Sequence, residues 1–581
     1  MVNHEGDSMS KGNLSVWSAA LFSIALSFNL SAQGIPKPGE QFSAMTNDAI
    51  YTWYAEPKAI YYEGTHKRTY MAWNTSTGTK GIAYYDHDTK DTLVTTLPPM
   101  PYGADDHNHP AIIARPDGKI VIFCTGHDGG NITELISKNP EDITSWESPI
   151  YPGGNGGYCY PNAIFLKGEG TQGRMYLFFR DNSGGYPDGT VTWEPCFCFS
   201  DDWGLTWSRK YHMFTGGSYK PYCKYASDDS LEIHVVVERE NRQGNSAVKP
   251  IYFMKYKGGN WYCANGRQLA TMETLPVHDY QMDTIFYANR FGCSNTCYDL
   301  ALDANNNPVT VMDMYKDTSI NIYWYMRWTG TTWFKTPFVN SGRYRGAQSG
   351  FAAGVTLDHE NPSNVYVCRQ MLAPSAAPFN LADTSYTNYK TNLKATCWTT
   401  SAYPHELEKW TTKDGGATWD TMPITRNTNS TVYMNTNCLP CVPRHHKPGT
   451  KIEVMWLNGI YQSMSPTPIN GIPGYQLSLR VYPFLESTGS SPVAAIQPAH
   501  IPQFITGRTG ITFTIADPAH SSLALYSPDG RLAGNLTAHI RAMKQGSAFV
   551  PYSLLSRTPG VYLVRLNNGN STMVDKIIVS Q

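Results

Sequence analysis

Between about Pro57 and Pro483 one pattern recurs seven times: an apolar strand, a polar turn, a second apolar strand, and a third ending near a Trp or Tyr. The copies open with "KAIYYEGTHKRTYMAW", "AIIARPDGKIVIFC", "AIFLKGEGTQGRMYLFF", "CKYASDDSLEIHVVVE", "DLALDANNNPVTVMDMY", "GVTLDHENPSNVYVCR" and "CVPRHHKPGTKIEVMWLNG". Each unit is an antiparallel meander that cannot bury both its faces alone. Units set radially bury one another, which predicts a seven-bladed β-propeller. Helical periodicity is nearly absent. The 13% aromatic content, 49 Gly and 38 Pro suit many short strands and turns.

Two short motifs support this fold. "SDDWGLTW" (Ser200 to Trp207) and "TKDGGATW" (Thr412 to Trp419) both fit Ser/Thr-x-Asp-x-Gly-x-Thr-Trp. The Asp can accept hydrogen bonds from the turn backbone, the Gly supplies an open φ, and the Trp anchors the turn in its blade. Both motifs resemble the Asp-box, or BNR, repeat of sialidase-like propellers. Their Asp residues are expected to be structural.

The reading divides the chain into a signal peptide (1–32), the propeller (40–485), a linker (486–504) and a small β-sandwich (505–581). The leader carries Lys11, the apolar run Val16 to Leu30 and a small-residue cleavage site at Ala32. The linker contains "ESTGSSPVAAIQPAHIPQ". The last 75 or so residues alternate apolar and polar. In "YSPDGR", "GVYLVRL" and "KIIV" they resemble the C-terminal sorting domain of the type IX secretion system, which implies a secreted or surface-held protein. A spacer or carbohydrate-binding module is the alternative.

"DDHNHPAIIARPDGKIVIFCTGHDGG" (Asp105 to Gly130) concentrates function. "RPDG" has Pro at the first turn position and Gly where positive φ is needed, so Arg115 should pair with Lys119. His107 lies ten residues before Asp117 and His127 ten after it. An unbroken ladder sets them opposite each other, about 5 Å apart at Cβ, with His109 on the face of His107. Loops at one end of a rigid sheet array are where sites sit. Tyr158 and Tyr160 hold the matching position in the next blade, Arg180 matches His127, and Tyr219, Lys220 and Tyr222 open the blade after. Arg343, Arg345, Arg369 and Arg444 could line the far side.

Glycoside hydrolysis usually needs two carboxyl groups. Asp105, Asp106 and Asp128 are nearby, but none stands out as a pair across blades. β-Elimination of a uronate-containing polysaccharide fits His, His, Tyr and Arg better. Arg180 with a His stabilises the charge that builds on the uronate carboxylate. A His or Tyr removes the C5 proton and another group protonates the leaving oxygen. A hydrolase of rhamnosidase or sialidase type, or a propeller that binds carbohydrate without cleaving it, remains open.

The run from about Ala55 to Gly459 resembles the BNR-4 family of seven-bladed propellers. It does so through the Asp105–Gly130 hairpin, "SKNPEDITSWESP", "YPNAIFL", "MYLFFR" and "PYCKYASDDSLEIHVVV". That family includes ulvan lyases and related lyases of rhamnose–uronate linkages. The resemblance implies His107, His127, Tyr160 and Arg180 as catalytic residues. His109, Tyr219, Lys220 and Tyr222 join them as substrate-binding residues, Tyr222 as the match to a substrate-contacting tyrosine. Two departures stand out. Lys220 replaces an Arg often found before Pro-Tyr, and "ERENRQGN" lacks the His associated with a structural metal.

Net charge of −1 with no basic excess gives no nucleic-acid signal, and no segment reaches membrane-span length. The expected partners are a uronate-containing polysaccharide and the secretion machinery, with the chain a monomer. No cofactor is expected in the chemistry; a calcium or zinc ion would be structural. Of the twelve cysteines, Cys293 with Cys297 and Cys438 with Cys441 are the best local disulfide candidates, and Cys196 with Cys198 a poor one. "CLPCVPRHH" also has zinc-like spacing with His445 and His446.

Overall fold

The computed structural model describes residues 42–579 except 128, 183–192, 216–219, 241–249, 289–292, 316–320, 343–353, 371–404, 426–435, 462, 464, 469–472, 484–504, 507–509, 516–520, 528–530, 542–545, 552–559 and 569–571. The leader, the linker, Asp128, Tyr219, Arg343 and Arg345 lie outside the described residues. The chain forms two compact units, residues 1–492 and 493–581.

The first unit is a seven-bladed propeller, one antiparallel sheet per repeat. The blades begin with the strands Ala59–Glu63, Ala111–Ala114, Tyr158–Leu166, Lys220–Ser227, Ser294–Leu302, Val355–Leu357 and Thr436–Cys441. The last blade borrows its fourth strand from the other end of the chain. Ser43–Thr46 pairs antiparallel with Tyr475–Tyr482, which closes the ring. Pairing between the two ends of the propeller sequence ties the ring shut.

Local chemistry explains the strands and their turns. The second blade's hairpin has the expected register, with Ala111 opposite Phe123 and Ala114 opposite Ile120. Arg115 N–H donates to the Lys119 carbonyl at 2.9 Å, and Gly118 takes φ +83°. Both Asp-boxes are turn clasps. Asp202 accepts from Thr206 N at 2.8 Å and Thr206 Oγ1 at 2.6 Å, and Asp414 repeats this with Thr418 at the same distances. Trp207 then donates to Glu134 at 2.7 Å, and Trp419 stacks on Phe338.

Before the first blade the chain crosses the middle of the ring. Tyr51 O–H donates to the Leu439 carbonyl at 3.1 Å, in the seventh blade. Glu56 N–H donates to the Pro161 carbonyl at 3.1 Å, and Ile112 N–H donates to the Pro57 carbonyl at 2.8 Å. Trp53 lies 4.7 Å from the Tyr298 ring, and its carbonyl accepts from Lys224. The segment thus touches blades two, three, four, five and seven. Burial works against the charge of Glu56, but Lys58 and Lys224 outweigh it and hold its carboxyl below the usual range. Below this crossing, on the hairpin-turn side, lies a cavity of about 960 Å³ lined by Glu56, Arg115, His359 and Arg444 among others.

In the second unit, one sheet joins Ile505–Thr506, Gly510–Ile515 and Gly546–Pro551. The other has the order Leu532–Asn535, Ser521–Tyr526, Gly560–Asn568, Thr572–Val579. Among the described residues no helix is long and apolar enough to cross a membrane.

Disulfide expectations are corrected. The eleven described cysteines, including Cys293, Cys297, Cys438 and Cys441, are free thiols, and all but Cys223 are buried. They pack as small apolar groups.

Candidate active site

Opposite the hairpin turn, the second blade presents its histidines. The ladder does not run unbroken to His107, because Asp106–Asn108 form a 3-10 turn capped by the Asp105 side chain. His107 and His127 still meet, ring on ring, with centroids 3.9 Å apart and planes within 8°. One carboxylate serves both. Asp105 Oδ1 lies 3.0 Å from His107 Nδ1, and Oδ2 lies 3.0 Å from His127 Nδ1. An ionised carboxylate can only accept, so each Nδ1 carries a proton. Asp106 adds a second carboxylate to His107 alone, at 2.5 Å, and itself accepts from Tyr461 O–H.

These contacts separate the rings electrostatically. Burial disfavours charge on His107, but Asp106 and Asp105 overcome it and raise its pKa to about 9. Burial likewise opposes the Asp105 charge, yet hydrogen bonds from both histidines hold its pKa well below the usual carboxylate range. His107 is therefore an imidazolium at neutral pH.

The third blade supplies Tyr160 and Arg180. Phe178 pairs with Asn162 but Arg180 with Cys159, so a bulge falls at Tyr160 and Pro161. Tyr160 sits at φ +60°, a strained position for a residue with a Cβ. Bulges re-aim side chains, and this one sends the phenol to the histidine pair. The Tyr160 ring lies 5.9 Å from His107 and 6.4 Å from His127. Arg180 lies over the rings of Tyr160, Tyr222 and Trp193 at 4.5, 4.7 and 4.8 Å. Its Nη2 donates to the Tyr160 phenol oxygen at 3.4 Å.

Tyr54, from the crossing segment, was not legible as a site residue. Its ring stacks on His107 at 5.4 Å and Tyr222 at 4.6 Å, and lies 4.7 Å from Tyr160. Asn162 Nδ2 donates to the carbonyls of both Tyr54 and Tyr160, fixing them together. His107, Tyr160, Arg180, Tyr222 and Tyr54 are all buried, whereas Asp105 and His127 are partly exposed. Solvent reaches the cluster on the His127 side.

Several expected residues lie elsewhere. The turn that separates His107 from His109 sends His109 inward, against the Tyr51 ring and 3.4 Å from Thr52 Oγ1. It is fully buried, and burial holds its pKa well below the ordinary value, so the imidazole is neutral. Tyr158 is buried and donates to the Gly153 carbonyl at 2.8 Å. Arg369 pairs with Glu408 at 2.6 Å. Arg444 joins His359 and Asp299 in the cavity on the other side of the crossing segment. The side chain of Lys220 lies outside the described residues. Asp105 and Asp106, weighed as acid–base carboxylates, instead hold histidines.

Metal donors are disposed as follows. Asp105, His107 and His127 bring donor atoms within 4.8 Å of one another, but each Nδ1 is engaged with the carboxylate. His445 pairs with Asp229 at 3.0 Å and His446 with Asp358 at 2.7 Å, while the thiols of Cys438 and Cys441 donate to the carbonyls of Leu457 and Val442.

Residues 68–341 match the model of a BNR repeat-containing family. No curated protein matches the chain in sequence. Among solved structures, a polysaccharide lyase described as a PL25 ulvan lyase is similar at a TM-score of 0.52 and 15% identity, over 77% of this chain and 96% of that one. The polysaccharide lyase Uly1 gives 0.46 and 12% over 77% and 98%, and the Hadza microbial sialidase Hz136 gives 0.34 and 12% over 66% and 72%. At such identities the first likeness establishes architecture. The chain is a seven-bladed propeller that carries the BNR-repeat pattern over residues 68–341.

Proposed function

We propose that this protein is a polysaccharide lyase that cleaves a uronate-containing, ulvan-like chain by β-elimination. One observation carries the reading: two buried cations, His107 and Arg180, flank Tyr160 next to the partly exposed His127. His107 and Arg180 take the uronate carboxylate and stabilise the negative charge that builds on it as the C5–H bond breaks. His127 accepts the C5 proton at Nε2, the ring nitrogen opposite the one bonded to Asp105. The electron pair forms the C4–C5 double bond as the C4–O bond breaks. Tyr160, whose phenol oxygen already accepts from Arg180, gives its proton to the departing oxygen. The next turnover requires that this proton return from His127 by way of solvent. Tyr54 and Tyr222 pack against the rings and cation of this cluster and hold them in place.

The fold shared with an ulvan lyase supports this reading, as does the engagement of Asp105 and Asp106 with histidines, which removes them as a glycosidase pair. Mass spectrometry of the products is the test. Elimination gives a new chain end lighter by one water than hydrolysis does. Products of full hydrolytic mass would contradict the assignment. In the same reading residues 1–32 direct secretion and the C-terminal unit is the sorting tag. Deleting 505–581 then leaves the enzyme inside the producing cell.

A further inference from the structure

We infer that Asp105 is a positioning residue. Its single carboxylate, spanning the stacked rings, fixes a proton on Nδ1 of both imidazoles, while Asp106 adds a second carboxylate to His107 alone. The inference deepens the proposed elimination and rests on that reading for its catalytic consequence.

The geometry is specific. Asp105 is held from its own backbone side: its carbonyl accepts from Asn74 Nδ2 at 2.7 Å, and its Oδ1 caps the turn through His107 N–H at 2.9 Å. The same oxygen meets His107 Nδ1 and the other meets His127 Nδ1, each at 3.0 Å. A carboxylate has two oxygens and no proton to give, so it holds a proton on Nδ1 of both rings at once. It also links them. When His127 takes a proton, the new charge is partly neutralised by the carboxylate that already serves His107, across a 3.9 Å stack. Asp106, anchored by Tyr461, contacts His107 only. His107 therefore has two carboxylates at its Nδ1 and His127 one. The titratable groups around them are Tyr54 and Tyr160 against the rings, Tyr461 on Asp106, and Lys80 and Tyr475 near Asp105. His109 lies behind His107 and is neutral.

The test uses the full chain labelled with ¹⁵N-histidine, without substrate, with Asp105→Asn as the variant. In the unaltered protein both rings should show Nδ1 protonated, His107 as the doubly protonated form at neutral pH. Asparagine offers one accepting oxygen and one donating amide; His107 keeps Asp106 at its Nδ1, so in D105N the amide turns to His127, whose proton moves from Nδ1 to Nε2. The kcat of the variant should fall roughly 100-fold or more, with KM changed less than about threefold and the pH profile displaced. Asp105→Glu should restore the tautomers and part of the rate. A bare Nδ1 on either ring in the unaltered protein, or an unchanged His127 tautomer in D105N whatever its activity, would overturn the inference. The spectra decide this even if no unsaturated product is ever found, so failure of the lyase reading and failure of this one are distinguishable.

Discussion

Arg180→Lys keeps the charge and removes the shape. The guanidinium is buried against three aromatic faces at 4.5 to 4.8 Å and donates to the Tyr160 phenol at 3.4 Å. A planar fork can lie over several rings and still donate at its edge, whereas an ammonium is a compact, strongly hydrated point on a flexible stem. A desolvated cation–aromatic contact contributes about 1–2 kcal/mol, and a hydrogen bond from a charged group about 1.5–3 kcal/mol. These share one side chain and do not add fully. A loss of about 2–3 kcal/mol in transition-state stabilisation corresponds to about a 30- to 150-fold fall in kcat/KM. The assay is the rate of unsaturated product at low substrate, with circular dichroism to show that the variant is folded. A folded R180K with kcat/KM within about threefold of the unaltered enzyme would refute the idea that the planar cation organises the site.

Other expectations follow from the same contacts. His107 has a pKa of about 9 in the folded chain against an ordinary 6.5, worth about 3 kcal/mol in favour of the protonated form. That stabilisation is complete below pH 6.5 and fades as pH rises through 9, so the Tm advantage over His107→Gln should shrink across that window and activity should fall above it. Gly204 sits at φ +92°, where a Cβ would collide with the Glu134 carboxylate. Gly204→Ala should cost about 1–3 kcal/mol by denaturant unfolding and leave kcat unchanged. Glu56→Gln strands the buried Lys58 and Lys224 under the crossing segment; unfolding should show a loss of about 3–5 kcal/mol.

The repeat and its turns were legible because they are local. "RPDG" fixes φ at Gly118 and so the hairpin register, and each Asp-box closes within a few residues. His107 facing His127 followed from counting, even though the 3-10 turn broke the ladder. That turn is also why His109 was misplaced, since period-two reasoning fails wherever a strand gives way to a helical turn. An Asp two residues before His107 is the signal that could have announced it, as a turn cap. Other features lay beyond pattern reading because they join distant residues. Tyr461 reaches Asp106 from the seventh blade. Tyr54 comes from a stretch outside every repeat, and its role depends on the chain crossing the ring. The bulge at Tyr160 shows no marker except Pro161, and only the pairing of Phe178 and Arg180 reveals it.

The most direct trial of the central claim is ultraviolet absorbance of the purified propeller incubated with ulvan and other rhamnose–uronate polysaccharides, beside His127→Ala. Absorbance that rises with the intact enzyme and stays flat with H127A is the predicted result, since the conjugated unsaturated uronate arises from elimination at C5. Reducing ends that accumulate with no rise in absorbance would contradict the account and identify a hydrolase.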